Sequence, residues 1–218
     1  MYFVKTPFWL RALYPSCTWR MPSSEKIIYF SFDDGPHPIA TPFVLAQLKK
    51  YHVKASFFCI GKNVLSYANL YEEIIQAGHA VGNHTYDHLN GWKVGADDYI
   101  NNIKSAANLI ASNLFRPPYG RIKRCQIKSI QSDATLPQQI IMWDVLSADF
   151  DTKITGEQCA KNVIKNAGPG SIIVFHDSAK AWDRLHIALP LVLNYFSTLG
   201  YRFEAIVDHS LTAKKWPR

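Results

Sequence analysis

Ile27-Ile28-Tyr29-Phe30-Ser31-Phe32-Asp33-Asp34-Gly35-Pro36 is the stretch on which the reading of this chain turns. Apart from Ser31, residues 27–32 are β-branched or aromatic, the composition of a strand. The run ends on two adjacent carboxylates and a Gly-Pro turn signal. Further along, His84-Thr85-Tyr86-Asp87-His88 sets two imidazoles four positions apart. Carboxylates at a strand end together with such a pair can assemble one divalent metal site with a spare base beside it.

Outward from residues 27–32, short apolar runs alternate with helical patterns. Strands are expected at 55–60, 80–82, 114–115, 139–146, 171–175 and 201–205. Helices are expected at 41–51, 71–77, 97–112, 155–167 and 185–199, with Asp97 or Asp98 as a cap and Pro190 as a kink or a late start. Gly78, Gly168 and Gly200 fit C-terminal stop signals. This alternation argues for βαβ units and a mostly parallel sheet. The fold class is α/β, a distorted (β/α) barrel of about seven strands with its chemistry on loops leaving their C-terminal ends. Asp33-Asp34, His84 to His88, Arg116 to Gly120, Asp144 to Asp149 and His176-Asp177 all fall at such ends.

A chain of 218 residues, 48% hydrophobic, fills one sizeable core. The expected organisation is a catalytic domain over 25–218 preceded by an extension over 1–24. Its net charge of +7 is the excess of 24 Lys and Arg over 17 Asp and Glu, and its basic runs, Lys49-Lys50, Arg121 to Arg124 and Lys214-Lys215, are short and scattered. Without an aromatic-interleaved basic stripe this reads as a solvated surface, and no nucleic-acid partner is expected. Cys17, Cys59, Cys125 and Cys159 lack the paired spacing of structural zinc sites. Residues 2–15 are aromatic and basic, with Lys5 and Arg11 interrupting the apolar stretch. That segment is too short and broken to span a bilayer and lacks the core of an exported leader. It is expected to pack over the domain or touch a membrane surface. A monomer in the cytoplasm or at the membrane periphery is the corresponding expectation, with the cell envelope as the alternative.

The residue types divide the chemistry. Asp34, His84 and His88 are the metal ligands, leaving room for water. Asp33, pointing elsewhere from the same strand end, is the general base for the attacking water; ligation by both aspartates is the rival reading. Arg116-Pro117-Pro118-Tyr119-Gly120 is rigid by composition and can hold Arg116 against Asp33. The backbone N–H of Tyr119 can face a developing oxyanion. His176 suits a general acid, oriented by Asp149, with Asp177 as the rival partner. Tyr86, Trp143 and Phe150 are candidate groove residues.

In these motifs the chain resembles the NodB-type polysaccharide deacetylases, a carbohydrate esterase family that removes N- or O-acetyl groups from glycans. Ser31 to Pro36, His84 to His88, Arg116 to Gly120, Trp143 to Phe150 and Ile172 to Asp177 appear in the family's order. The resemblance runs from about residue 27 to residue 205. It implies a zinc ion, with Co²⁺, Mn²⁺ or Ni²⁺ as substitutes, on Asp34, His84 and His88. It also implies an acetylated glycan as substrate, the roles above for Asp33, Arg116, Tyr119, Asp149 and His176, and Val174 at the acetyl methyl pocket. Ser31 stands where the family usually has threonine, Phe150 where it often has tryptophan, and Val174 where leucine is common. A hydrolase for another amide, ester or phosphate, and an inactive glycan-binding module, are the alternatives.

Overall fold

The computed structural model describes residues 2–206; Lys214-Lys215 lie outside them. Its strands are β1 (Ile27–Asp33), β2 (Ser56–Cys59), β3 (Ala80–Asn83), β4 (Leu114–Phe115), β5 (Gln139–Ile140), β6 (Val145–Leu146), β7 (Ile172–His176) and β8 (Arg202–Phe203). The helices are α1 (Phe8–Leu13), α2 (Ala40–Lys50), α3 (Gly61–Ser66), α4 (Ala68–Gln76), α5 (Ala96–Ala107), α6 (Arg124–Ser132), α7 (Gly156–Asn166) and α8 (Trp182–Thr198). The sheet runs β5-β4-β3-β2-β1-β7-β6, with β8 pairing β1, and every ladder is parallel. This is the distorted barrel expected from the alternation.

Alternation along each strand builds two layers. Phe30, Phe32, Phe57 and Phe175 face the helices and pack with Leu189, Val192 and Phe196 of α8. Tyr29, Phe58, Leu114, Ile141 and Ile172 fill the barrel interior. By the same period Ser31 and Asp33 of β1, and Val174 and His176 of β7, point inward. The β1–β7 register sets Asp33 directly opposite His176.

β5 and β6 end the strand order and do not pair with each other among the described residues. The N-terminal segment fills that seam. Lys5 bridges Val145 of β6, Thr18 bridges Ile141 just past β5, and Arg20 bridges Ser171. Two exposed sheet edges are thereby covered. The carboxylate of Asp144, fully buried, fastens the segment: it accepts from Lys5 Nζ at 2.7 Å, Arg20 Nη1 at 2.9 Å, Ser171 Oγ at 2.6 Å and Arg11 Nη2.

Several elements differ from expectation for local reasons. The strand expected over 139–146 is broken into β5 and β6, because Ile141 and Met142 pair with Thr18 instead; the Met142 N–H donates to Thr18 O at 2.7 Å. α5 begins at Ala96 behind Gly95, so Asp97 and Asp98 lie in its first turn, where they favour the helix dipole without capping it. α8 begins at Trp182 and carries Pro190 inside it, so Pro190 is no late start. The helix expected over 71–77 is longer, and a break at Tyr67 separates it from α3. α1 and α6 fall where no helix was expected. α7 starts on a reciprocal cap in which Thr155 Oγ1 accepts from the Gln158 N–H and Gln158 Oε1 accepts from the Thr155 N–H.

Candidate metal centre and the catalytic rim

Parallel pairing brings the polar motifs to one rim. Asp33 is the last residue of β1, His84 follows β3, Arg116 follows β4, Asp149 lies just past β6, and His176 ends β7. Asp34, His84 and His88 each offer one ligand atom, all within 4.8 Å of one another. Asp34 Oδ1 lies 3.6 Å from His84 Nε2 and 3.2 Å from His88 Nε2. It is buried, yet no well-formed hydrogen bond satisfies it. A buried carboxylate oxygen left orphaned between two imidazole nitrogens is what a cation would complete.

The donor chemistry also fits. His84 Nδ1 lies 2.8 Å from the Arg116 carbonyl, which can only accept, so Nδ1 carries the hydrogen and the Nε2 lone pair faces the triad. Burial pushes the pKa of His84 down to about 4, which keeps the ring neutral and able to ligate. Burial would raise the Asp34 carboxyl. The imidazoles around it, His88 first, outweigh that and hold it well below the usual carboxylate range.

Asp33 is turned to a different partner. Its Oδ1 accepts from Arg116 Nη1 at 2.6 Å, while no described group donates to Oδ2. Arg116 is completely buried and fully committed: Nη1 also reaches Ser31 Oγ at 2.7 Å, Nε the Ile141 carbonyl at 3.1 Å, and Nη2 the Met142 carbonyl at 3.0 Å. Its guanidinium lies 4.0 Å from the centroid of Phe58. Ser31 thus orients the arginine, a role that its place inside the first motif concealed.

Across the barrel mouth, His176 Nδ1 and Asp149 Oδ1 are 2.7 Å apart, and the His176 N–H donates to Asp149 Oδ2 at 2.7 Å. Burial disfavours the imidazolium, but the charge of Asp149 outweighs it and raises the pKa to about 10. Asp177 points elsewhere. It accepts from Thr41 Oγ1, its N–H donates to Asp33 O, and burial raises its pKa to about 8. A Cβ on Gly35 would fall 2.1 Å from Asp177 Oδ2, so only glycine fits between the two carboxylates and Pro36.

The remaining groove candidates separate. Phe150 meets the His176 ring edge-on at 5.4 Å, Val174 is buried inside the barrel, and Trp143 lies over Gly120. Tyr86 instead packs on the helix-side core against Gly61. The Tyr119 ring lies 4.6 Å from His88 and is 59% exposed, and its N–H donates to no described acceptor.

Backbone strain collects on the same rim. Asp34, Thr85, His88, Tyr119 and Ala148 all take positive φ, between 59° and 79°. Left-handed backbone costs such residues about 1–3 kcal/mol each and persists where neighbours enforce it. Asn63 Nδ2 donates to Asp34 O, and Asn83 Oδ1 accepts from the Thr85 N–H, each at 2.8 Å. Asn102 Oδ1 accepts from the Tyr86 and Asp87 N–H groups. Asn63 and Asn102 lie outside the motifs, and only the three-dimensional arrangement reveals them.

Comparison with known proteins agrees with this geometry. The model of the polysaccharide deacetylase family matches residues 20–136. Two proteins of Bacillus cereus, both named peptidoglycan-N-acetylglucosamine deacetylase, are 33% identical over 197 residues (88% of this chain, 91% of that protein) and 32% identical over 201 residues (89% and 72%). A crystal structure of a peptidoglycan N-acetylglucosamine deacetylase, in complex with a naphthyl-substituted N-hydroxybenzamide, superposes with a TM-score of 0.81. It is 31% identical, covering 92% of this chain and 95% of that one.

Proposed function

This chain belongs to the polysaccharide deacetylase family, and we propose that it is a zinc-dependent hydrolase releasing acetate from N-acetylated amino sugars of a glycan. The observation that carries the reading is the division between adjacent carboxylates: Asp34 faces two imidazoles, and Asp33 faces a buried arginine with one oxygen free. The names of the Bacillus cereus relatives favour a glycan bearing N-acetylglucosamine.

Asp34, His84 and His88 would hold the ion. A divalent ion there supplies Lewis-acid polarisation of the acyl carbonyl and makes water acidic enough to deprotonate near neutral pH. Asp33 takes the water's proton on Oδ2, while Arg116 fixes the carboxylate through Oδ1. The N–H of Tyr119 donates to the oxygen that becomes negative as the carbonyl carbon turns tetrahedral. His176, protonated and oriented by Asp149, gives its proton to the departing amine, and acetate and a free amino sugar result. Val174 and Phe150 would bound the acyl end, and Trp143 the sugar.

The test is acetate release from defined N-acetylated and O-acetylated glycans, with metal content measured alongside. Asp33→Asn should lower turnover by about 10²- to 10⁴-fold with the metal retained. Near-full turnover by that variant, metal still bound, would remove Asp33 as the base.

A further inference from the structure

Thr85, Tyr86 and Asp87 separate the two histidines of the triad, in a loop whose backbone is costly for its residue types. Thr85 has φ 63° and His88 φ 59°, left-handed values for a β-branched residue and an imidazole. No glycine between residues 84 and 88 eases them. Groups outside the loop therefore hold it. The Thr85 and Tyr86 carbonyls accept from the Gly61 and Lys62 N–H groups at the start of α3, at 2.9 and 3.2 Å. The loop's own N–H groups turn the other way, to α5.

Asn102 of α5 meets them with one side chain. Its Oδ1 accepts from the Tyr86 N–H at 2.8 Å and the Asp87 N–H at 2.9 Å, and its Nδ2 donates to Asp87 Oδ2 at 2.9 Å. Only one orientation of the amide satisfies all three contacts. The Tyr86 N–H also reaches the Asn102 carbonyl at 3.2 Å, whereas the Asp87 N–H has no other acceptor among the described residues. The carbonyl of the next residue, Ile103, accepts from Asn83 Nδ2 at 2.9 Å, just ahead of His84. α5 is a firm support, because Tyr99, Ile103 and Ala106 are completely buried. Asparagine is a poorer helix former than alanine, so residue 102 serves the loop rather than its own helix.

We propose that Asn102 is a positioning residue for the metal centre: it holds the loop so that His84 and His88 converge on Asp34, and thereby sets the affinity for a divalent ion. The proposal rests on Asp34, His84 and His88 as the ligand set. Without Asn102 the loop relaxes toward ordinary backbone. The converging geometry is then populated only part of the time, and the apparent affinity falls by that fraction.

Zinc affinity of the full chain, measured by competition with a chromophoric chelator, provides the test, alongside the urea midpoint of the metal-free protein. Asn102→Ala should raise the zinc dissociation constant by about 10- to 100-fold. Its metal-free midpoint should stay close to the parent's, since alanine favours the helix. Asn102→Asp keeps the acceptor but sets a second carboxylate against Asp87, and should bind zinc as weakly. Adding Asp87→Asn to it restores a donor opposite that carboxylate at unchanged net charge, and this double variant should recover most of the affinity. A rise of less than about threefold in Asn102→Ala, well under the expected scale, or no recovery in the double variant would overturn the proposal. A metal-free Asn102→Ala protein that no longer folds would assign the residue to the fold and also overturn it. Zinc binding that persists unchanged in a His84→Ala, His88→Ala protein sinks the metal centre itself. Affinity that needs the histidines but is indifferent to residue 102 sinks the role of Asn102 alone.

Discussion

Asp33 and Asp144 sit in two regions of the same barrel, each buried and each facing cations, and they differ in what is left over. At the seam, both oxygens of Asp144 are taken by Lys5, Arg11, Arg20 and Ser171. At the rim, Arg116 takes only Oδ1 of Asp33, and neighbouring Asp34 keeps a buried oxygen with no hydrogen bond. A saturated carboxylate can only hold structure together. One with an unfilled lone pair, next to an orphaned oxygen and the neutral imidazole of His84, is equipped to accept a proton or bind an ion. Burial and charge pairing alone do not separate the two cases, whereas unfilled hydrogen-bonding capacity does.

The severest way to break this contrast is Arg116→Ala. Its removal leaves the buried Asp33 carboxylate, Ser31 and two carbonyls without their donor, and should cost about 4 kcal/mol of stability as well as most of the activity. Denaturant midpoints with and without Arg116→Lys separate charge from geometry. Lysine restores the cation but not the fork that reaches Ser31, Ile141 and Met142 together, so it should recover only part of the loss. An Arg116→Ala protein within 1 kcal/mol of the parent (about the size of an exposed ion pair) would mean that the arginine is not holding the rim.

Asp144→Ala is the counterpart at the seam. It should cost about 3 kcal/mol, toward the lower end for a buried pair because Lys5, Arg11 and Arg20 are partly exposed and can turn to water. Its kcat on a short glycan should stay within about tenfold of the parent, since the residue touches none of the proposed chemistry. A fall as steep as that expected for Asp33→Asn, in a variant still folded, would abolish the distinction between the regions.

What was legible in the sequence follows the same division. The parallel barrel and the rim clusters could be read because β-branched runs and strand-end polar residues are local signals. The family's motif order added the roles for Asp33, Asp34, His84, His88, Arg116 and His176. The seam was not legible, because Asp144 meets Lys5, Arg11 and Arg20 across more than a hundred residues of chain, and no spacing rule links them. Asn63 and Asn102 escaped notice for the same reason. Tyr86 misled through its neighbours: it lies between the two histidines of the candidate metal triad, yet its ring turns to the outer core and packs on Gly61. The positive φ of Asp34, Thr85, His88 and Tyr119 was equally hidden, since none of them is the glycine that would announce it.

The gentlest probe compares imidazoles at the two ends of the sheet. His84 is neutral at the rim, where its Nε2 lone pair faces the triad. His79 is neutral at the opposite end, where its lone pair is used: the Ala55 N–H donates to Nδ1 at 3.3 Å, and the ring lies 5.4 Å from Phe57. Burial, with a smaller push from Lys54, lowers the pKa of His79 from 6.5 to about 4. The folded chain then binds fewer protons at this site than the unfolded chain does. The stability is fully present above pH 6.5 and is lost as the pH falls toward 4. Discounted for the ring's partial exposure, the loss by pH 5 should be about 1 kcal/mol. His79→Asn keeps an acceptor for Ala55 but cannot titrate, so urea midpoints at pH 7.5 and pH 5 should converge more in that variant than in the parent. An identical pH dependence in both proteins would show that protonating His79 does not break the Ala55 contact, and that this end of the sheet tolerates a charge.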